Sequence, residues 1–336
     1  LAPQQEADAQ AFPLYYKAAL VSLKQENIPA FIDRLRKLSV LMPEHPQAPL
    51  AHLKAIQQAH ALGQEEEAWQ VTYQQMLVAH LELWPSDKST DQVRLWLGSM
   101  AREAGDWVKA IEYYQGISVG EPRFPVILEV LETCWTNLLA QLDPDQRGPG
   151  LQQALAYFQP LYQDANGQFQ DRWSVAARQA LLVTSRLQLR FMPTPYPQVE
   201  RLVQAGRTGL PAAGDQFLSQ ANAILMVALA GQGKLEEADQ LLGQIGQQDP
   251  QRLFEIMQSL SELAEKSSGT GGRLATLQLK LFERSAGQRQ QLAPAQQLRW
   301  DLAHARAMAA AVEQPQAARM LKQLSMAHPQ SAAVQR

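Results

Sequence analysis

Cysteine is almost missing from this chain. Cys134 is the only one in 336 residues, so no intrachain disulfide can form and no zinc site can be built from thiolates. Its neighbours Leu131, Trp135 and Leu138 predict a small buried apolar residue on a helix rather than a reactive nucleophile. Charge is sparse as well: 19% of residues are charged, 30 basic against 33 acidic, for a formal net charge of -3. Lys and Arg are scattered rather than run together, which argues against the one-sided basic face that nucleic-acid binders use to displace counterions from phosphates. With 46% hydrophobic residues there is enough apolar material for a core and too little charge for disorder. Long hydrophobic runs are missing too. The longest purely apolar stretch, Ala223 to Ala230, falls well short of the about 20 residues that span a bilayer, so it reads as a buried helix and no membrane span is expected.

The chain opens at Leu1 without a charged and then apolar leader, as expected of a processed form or a segment of something longer. One cysteine leaves the compartment open. The cytosol is the first expectation, with the periplasm or the extracellular space as alternatives if a leader has been removed.

Catalytic and cofactor motifs are missing in turn. Gly231-Gln232-Gly233-Lys234 shares only letters with a phosphate loop, and the glycine-rich run Ser267 to Gly272 follows no strand. The histidines, His45, His52, His60, His80, His304 and His328, include no H-E-x-x-H pair. His52 and His60 share a broad helix face but lie about 12 Å apart along the axis, too far to ligate one metal. Glu129 and Glu132 are adjacent on a helix, yet nothing in the sequence sets a nucleophile or oxyanion donor beside them, and a solvated face accounts for them. Neither a cofactor nor a metal is expected, and the chain reads as a non-enzyme.

What is present is a helical rhythm. Residues 91 to 122 carry Leu97-Gly98, then Gly105-Asp106-Trp107, then Ala110 followed four residues on by Tyr114, and Pro122 as a stop. This stretch resembles one unit of the tetratricopeptide repeat, a pattern of about 34 residues in which two antiparallel helices meet through small residues. Residues 225 to 250 repeat the resemblance through Leu225, Leu229, Gly233-Lys234-Leu235, Ala238, Leu242 and Asp249-Pro250. The likeness implies an all-α fold: a right-handed α/α superhelical solenoid of about eight antiparallel helix pairs, irregular in spacing, in which each pair buries its second face only by stacking on the next. Residues 1–336 then form a single array, because a solenoid grows by stacking and needs no second core.

Helix pairs are expected at 12–41, 47–83, 91–122, 124–163, 173–208, 225–250, 253–286 and 298–327. Three interruptions are candidate hinges. Residues 143–150 hold two prolines and two glycines and predict a loop, alternating prolines at 192–197 predict an irregular, extended connection, and 267–272 is rich in Gly and Ser. In the second pair, Ala68 takes the small position while Thr72 stands where the motif has an aromatic. Glu65-Glu66-Glu67 reads as a helix first turn, where carboxylates meet the positive end of the macrodipole.

The resemblance implies that first helices line a concave groove for another chain. Its candidate lining in the third unit is Gln92, Leu95, Ser99 and Arg102, with Trp96 as an anchor, since Leu97 takes the inward position and turns Trp96 to a different face. Family members that clamp a partner's C-terminal carboxylate use Lys and Asn at such positions. Here Gln92, Leu95 and Ser99 replace them in the third unit, and Gln220, Ala223 and Val227 in the sixth, so that clamp is missing. Lys17, Arg299 and Arg306 can each meet an acidic side chain individually. The reading that follows is a scaffold binding a protein or peptide partner, with self-association as a further possibility. Two alternatives stay open: a ligand-sensing or regulatory module of a larger protein, and a toroidal all-helical enzyme acting on glycans.

Overall fold

In a computed structural model, residues 2–208, 216–245, 271–311 and 314–330 are described, together with Phe254, Met257, Leu260 and Ser261, which are helical. These residues form fifteen α-helices and no strand; one isolated antiparallel bridge joins Gln163 and Phe169. No helix among them is long and apolar enough to cross a membrane. The chain divides into two compact units, residues 1–127 and 128–336.

The first unit contains α1 (Ala2–Lys24), α2 (Ile28–Leu41), α3 (Ala48–Gly63), α4 (Glu67–Leu83), α5 (Ser89–Glu103) and α6 (Trp107–Gln115). Each helix packs on the next, and α3 also touches α5. That second-neighbour contact is what stacking adds to a row of hairpins. Local chemistry marks the turns. Asn27 caps α2 by accepting from the Ala30 amide at 3.1 Å, and Pro29 occupies the first turn, where no amide donor is needed. Gly105 takes a φ of +74° between α5 and α6, and Asp106 caps α6 through the Lys109 amide. The core runs continuously through Phe12, Ile32, Leu35, Ile56, Met76 and Leu77 to Val93 and Leu97.

The small residues that the motif calls for lie at close approaches. Gly98 and Ala110 are buried between α5 and α6, and Ala154, Ala238 and Ala317 are buried in the other unit. The second hairpin departs from the expected register. Ala68 is exposed, and the buried aromatic is Tyr73, one residue beyond Thr72, where its ring meets His60. Of the acidic triplet, only Glu67 lies in the helix; Glu66 stands at the cap position of α4.

The unit boundary falls within α7 (Phe124–Gln141). The second unit continues with α8 (Pro144–Phe158), α9 (Val175–Phe191), α10 (Tyr196–Arg207), α11 (Gln216–Gln232), α12 (Leu235–Ile245), α13 (Gly271–Ser285), α14 (Pro294–Ala310) and α15 (Gln314–Ala327). Neighbour packing again dominates, with second-neighbour contacts of α9 with α11 and of α11 with α13.

Of the expected loop at 143–150, residues 144–150 are helix instead, with Asp143 at the cap position. Pro144 opens α8 at a position that tolerates it, and Pro149 lies inside the helix. Tertiary contacts offset the poor local propensity: the Arg147 guanidinium donates to the carbonyls of Leu139 and Leu142, closing the end of α7, and Gly150 lets α8 approach the side chains of those same two leucines. The proline-rich connection is shorter than expected. Met192 to Pro195 are non-helical, with Thr194 at a φ of +50°, and Tyr196 and Pro197 already belong to α10. Of the proposed hinge at 267–272, Gly271 and Gly272 open α13 and the rest lies outside the described residues, as does most of 253–266.

Candidate functional site

The sequence-derived groove residues of the third hairpin form one stripe on α5. Gln92, Leu95, Trp96, Ser99 and Arg102 recur at three- and four-residue spacing, and each is half-buried. The helix under them is firmly braced. The buried Asp91 carboxylate accepts from the Ser118 amide at 3.1 Å, from the Ser118 hydroxyl at 2.5 Å and from Arg94 at 3.3 Å, tying the start of α5 to the end of α6. Gln92 accepts from the Arg123 guanidinium at 2.9 Å, and the Ser99 and Tyr114 hydroxyls lie 3.2 Å apart. The Trp96 and Tyr73 rings meet in a T-shaped arrangement, 6.3 Å between centroids, and Trp96 packs partly against the core. Its inner side therefore belongs to the stacking of α4 on α5. Lys17 is exposed on α1, and Arg299 and Arg306 are exposed on α14 of the second unit.

A buried histidine pair in the first unit was not visible in the sequence. His52 of α3 meets His80 of α4, not His60; the two Nδ1 atoms are 3.2 Å apart and both side chains are fully buried. Trp84 packs against both rings, with centroids 5.3 and 5.0 Å away, and its indole N–H donates to the Pro43 carbonyl at 2.8 Å. From His80 a chain of hydrogen bonds leads outward: Nε2 lies 2.9 Å from the Ser89 hydroxyl, which donates to Asp87 at 2.5 Å. Burial, the neighbouring His80 and the Arg36 cation take the pKa of His52 from 6.5 down to about 3. Burial brings His80 down to about 4, against the pull of Asp87. Both imidazoles are thus neutral at physiological pH. Sequence spacing alone could not have paired them, because their meeting depends on the shifted register of the second hairpin.

The remaining polar candidates have structural partners. Glu132 is not on a solvated face: it accepts from Arg186 of α9 in a two-pronged contact at 2.7 and 2.6 Å, and Glu129 accepts from Gln179 at 3.0 Å. Gln179 and Arg186 of α9 reach back across 50 and 54 positions to meet them. Lys234, of the phosphate-loop look-alike, pairs with Glu200 at 2.7 Å while Gly233 turns the chain at a φ of +80°. Among the described residues no group of three or more His, Cys, Asp or Glu side chains is placed to hold a metal ion. Cys134 is fully buried.

No protein-family model matches the chain, and no curated protein matches it. Among solved structures, the crystal structure of a tetratricopeptide repeat protein from Parabacteroides merdae ATCC 43184 is similar. It is 13% identical, with a TM-score of 0.36, over 94% of this chain and 99% of that one.

Proposed function

We propose that this chain is a non-enzymatic interaction scaffold that holds a peptide or protein segment against the α5 stripe. The observation that carries the reading is the stripe itself: five half-buried side chains at helical spacing on a helix whose start is locked by buried Asp91. Half-buried residues on a fixed helix keep solvent-reached surface for a partner while losing little side-chain freedom on binding, which lowers the cost of association. Leu95 and Trp96 supply apolar area, and Gln92, Ser99 and Arg102 supply hydrogen-bonding groups around it. Lys17, exposed on α1 of the same unit, provides a cation for an acidic side chain of a partner.

The test is affinity capture with the intact chain as bait, followed by mass spectrometry, alongside a Leu95→Lys/Ser99→Arg double variant. A partner held by the native chain and lost by the double variant is the expected result. Absence of any reproducible partner, or equal capture by both baits, would count decisively against the stripe.

A further inference from the structure

A cavity of about 450 Å³ lies in the second unit, among α8, α9, α10 and the loop that follows α8. It shares no residue with the α5 stripe. Facing helices ordinarily bring apolar residues together, yet Gln152, Gln159, Gln163, Gln188 and Gln198 all stand among its walls. Packing alone does not call for so many amides.

Arg201 is the one cation lining the cavity, and no carboxylate lines it among the described residues. Its guanidinium lies over the Phe169 ring, 5.9 Å from the centroid, and no hydrogen-bond acceptor pairs with it among the described residues. The adjacent Glu200 is engaged by Lys234 instead, at 2.7 Å. Phe169 is held in turn: it bridges to Gln163, and the Asp164 carboxylate braces the turn between them by accepting from the Asn166 and Gln168 amides at 2.9 and 2.8 Å. Arg201 therefore rests on a fixed wall with its donors unused.

A single guanidinium with no acid beside it suits one negative charge, and its planar fork of donors matches a carboxylate. A cationic ligand would find no counter-charge here. Side-chain amides both donate and accept, as hydroxyls do: Gln159 donates to Gln163 at 2.9 Å, which leaves the Gln159 carbonyl oxygen and an N–H of Gln163 for a ligand. Gln152, Gln159, Gln198 and Arg201 are exposed and Gln163 is half-buried, so these groups are open to a ligand without any contact from the buried Gln188. Leu155, Met192 and Leu202 add apolar wall for the C–H face of a saturated ring.

We propose that this cavity binds a uronic acid, a sugar ring carrying one carboxylate, with the carboxylate on Arg201, the hydroxyls on the glutamine amides and the ring C–H groups against Leu155, Met192 and Leu202. The volume lies within the usual range for small-molecule sites. Phe169 is a positioning residue that holds the guanidinium in place.

The experiment is calorimetric titration of the full chain with four probes: methyl glucuronide, methyl galacturonide, methyl glucoside and cyclohexanecarboxylate. The glucoside lacks the charge and the cyclohexane acid lacks the hydroxyls. At least one uronide should bind about tenfold or more tightly than either of these, since each lacks hydrogen bonds that the uronide makes. Arg201→Gln should bring that uronide down to the level of the glucoside, and Gln198→Ala should weaken it as well. Both positions are exposed, so circular dichroism should show native helicity in each variant. Equal affinity for the uronides and the glucoside, equal or tighter binding of cyclohexanecarboxylate, no binding of either uronide, or unchanged uronide affinity in Arg201→Gln would each overturn the proposal. None of these readings depends on a partner captured at α5.

Discussion

Gly98 lies directly beneath the ring of Tyr114: a Cβ built on Gly98 would fall 2.8 Å from two of the ring carbons. The bare spot on α5 is therefore matched to the aromatic of α6, and Ala110 one turn earlier keeps the same pair of helices close.

Replacing that glycine with a large side chain must push the two helices apart or force Tyr114 from its place. Gly98→Leu is expected to destabilise the first unit by about 1–3 kcal/mol through overpacking. Urea unfolding followed by circular dichroism measures it, and Tyr114→Ala in the same chain should recover part of the loss by making room. An unchanged midpoint for Gly98→Leu would mean that the two helices are not held this closely.

Acid should loosen the His52–His80 pair. In the unfolded chain both histidines take up protons near pH 6.5, whereas in the folded chain they resist until about pH 3 and about pH 4. The unfolded state binds more protons throughout that window, so stability is fully present above pH 6.5 and is lost as the pH falls. The loss is about 1.4 kcal/mol per pH unit for each histidine, or about 2 kcal/mol each between pH 7 and pH 5. Urea unfolding followed by far-ultraviolet circular dichroism at a series of pH values checks the slope. A flat profile between pH 7 and pH 5 would contradict two neutral buried imidazoles.

Arg186 and Glu132 join α9 to α7 through two charge-assisted hydrogen bonds, both side chains being about four-fifths buried. Such forked pairs are stronger than single surface ion pairs, although solvent still screens part of the interaction. A double-mutant cycle of Glu132→Gln and Arg186→Gln is expected to return a coupling of about 1–2 kcal/mol. Coupling indistinguishable from zero would reduce the pair to a surface contact.

Trp96 is shared between two roles, since one side of its ring meets Tyr73 and the rest reaches solvent. Trp96→Ala is expected to weaken capture of an α5 partner and to cost the unit some stability, while Trp96→Phe should keep the Tyr73 contact and restore most of the fold. Far-ultraviolet circular dichroism together with partner capture separates the two effects. Full partner binding by Trp96→Ala would confine this residue to the core.

Much of the architecture was legible because repeat packing is local. Leu97, Gly98, Ala110 and Tyr114 lie within one hairpin, and their spacing alone sets which helix faces meet. The α5 stripe was legible for the same reason: five residues on one helix keep their relation whatever surrounds them. Pairs between hairpins were not. His52 and His80 are 28 residues apart, and Tyr73 rather than Thr72 fills the aromatic place in that unit. A one-residue shift on a helix turns a side chain by about 100°, which no periodic pattern reveals when the repeat is imperfect.

The sequence by itself determined that the chain is helical, where most of its hairpins turn, and which small residues permit close approach, because propensity, capping and helical period act over a few residues. Tertiary structure alone decided the rest. It made a helix of 144–158 despite its prolines and glycines, since Arg147 and Gly150 meet the end of α7. It also drew two neutral histidines, a serine and an aspartate into one polarised line, because burial and hydrogen-bond direction exist only once distant helices have packed.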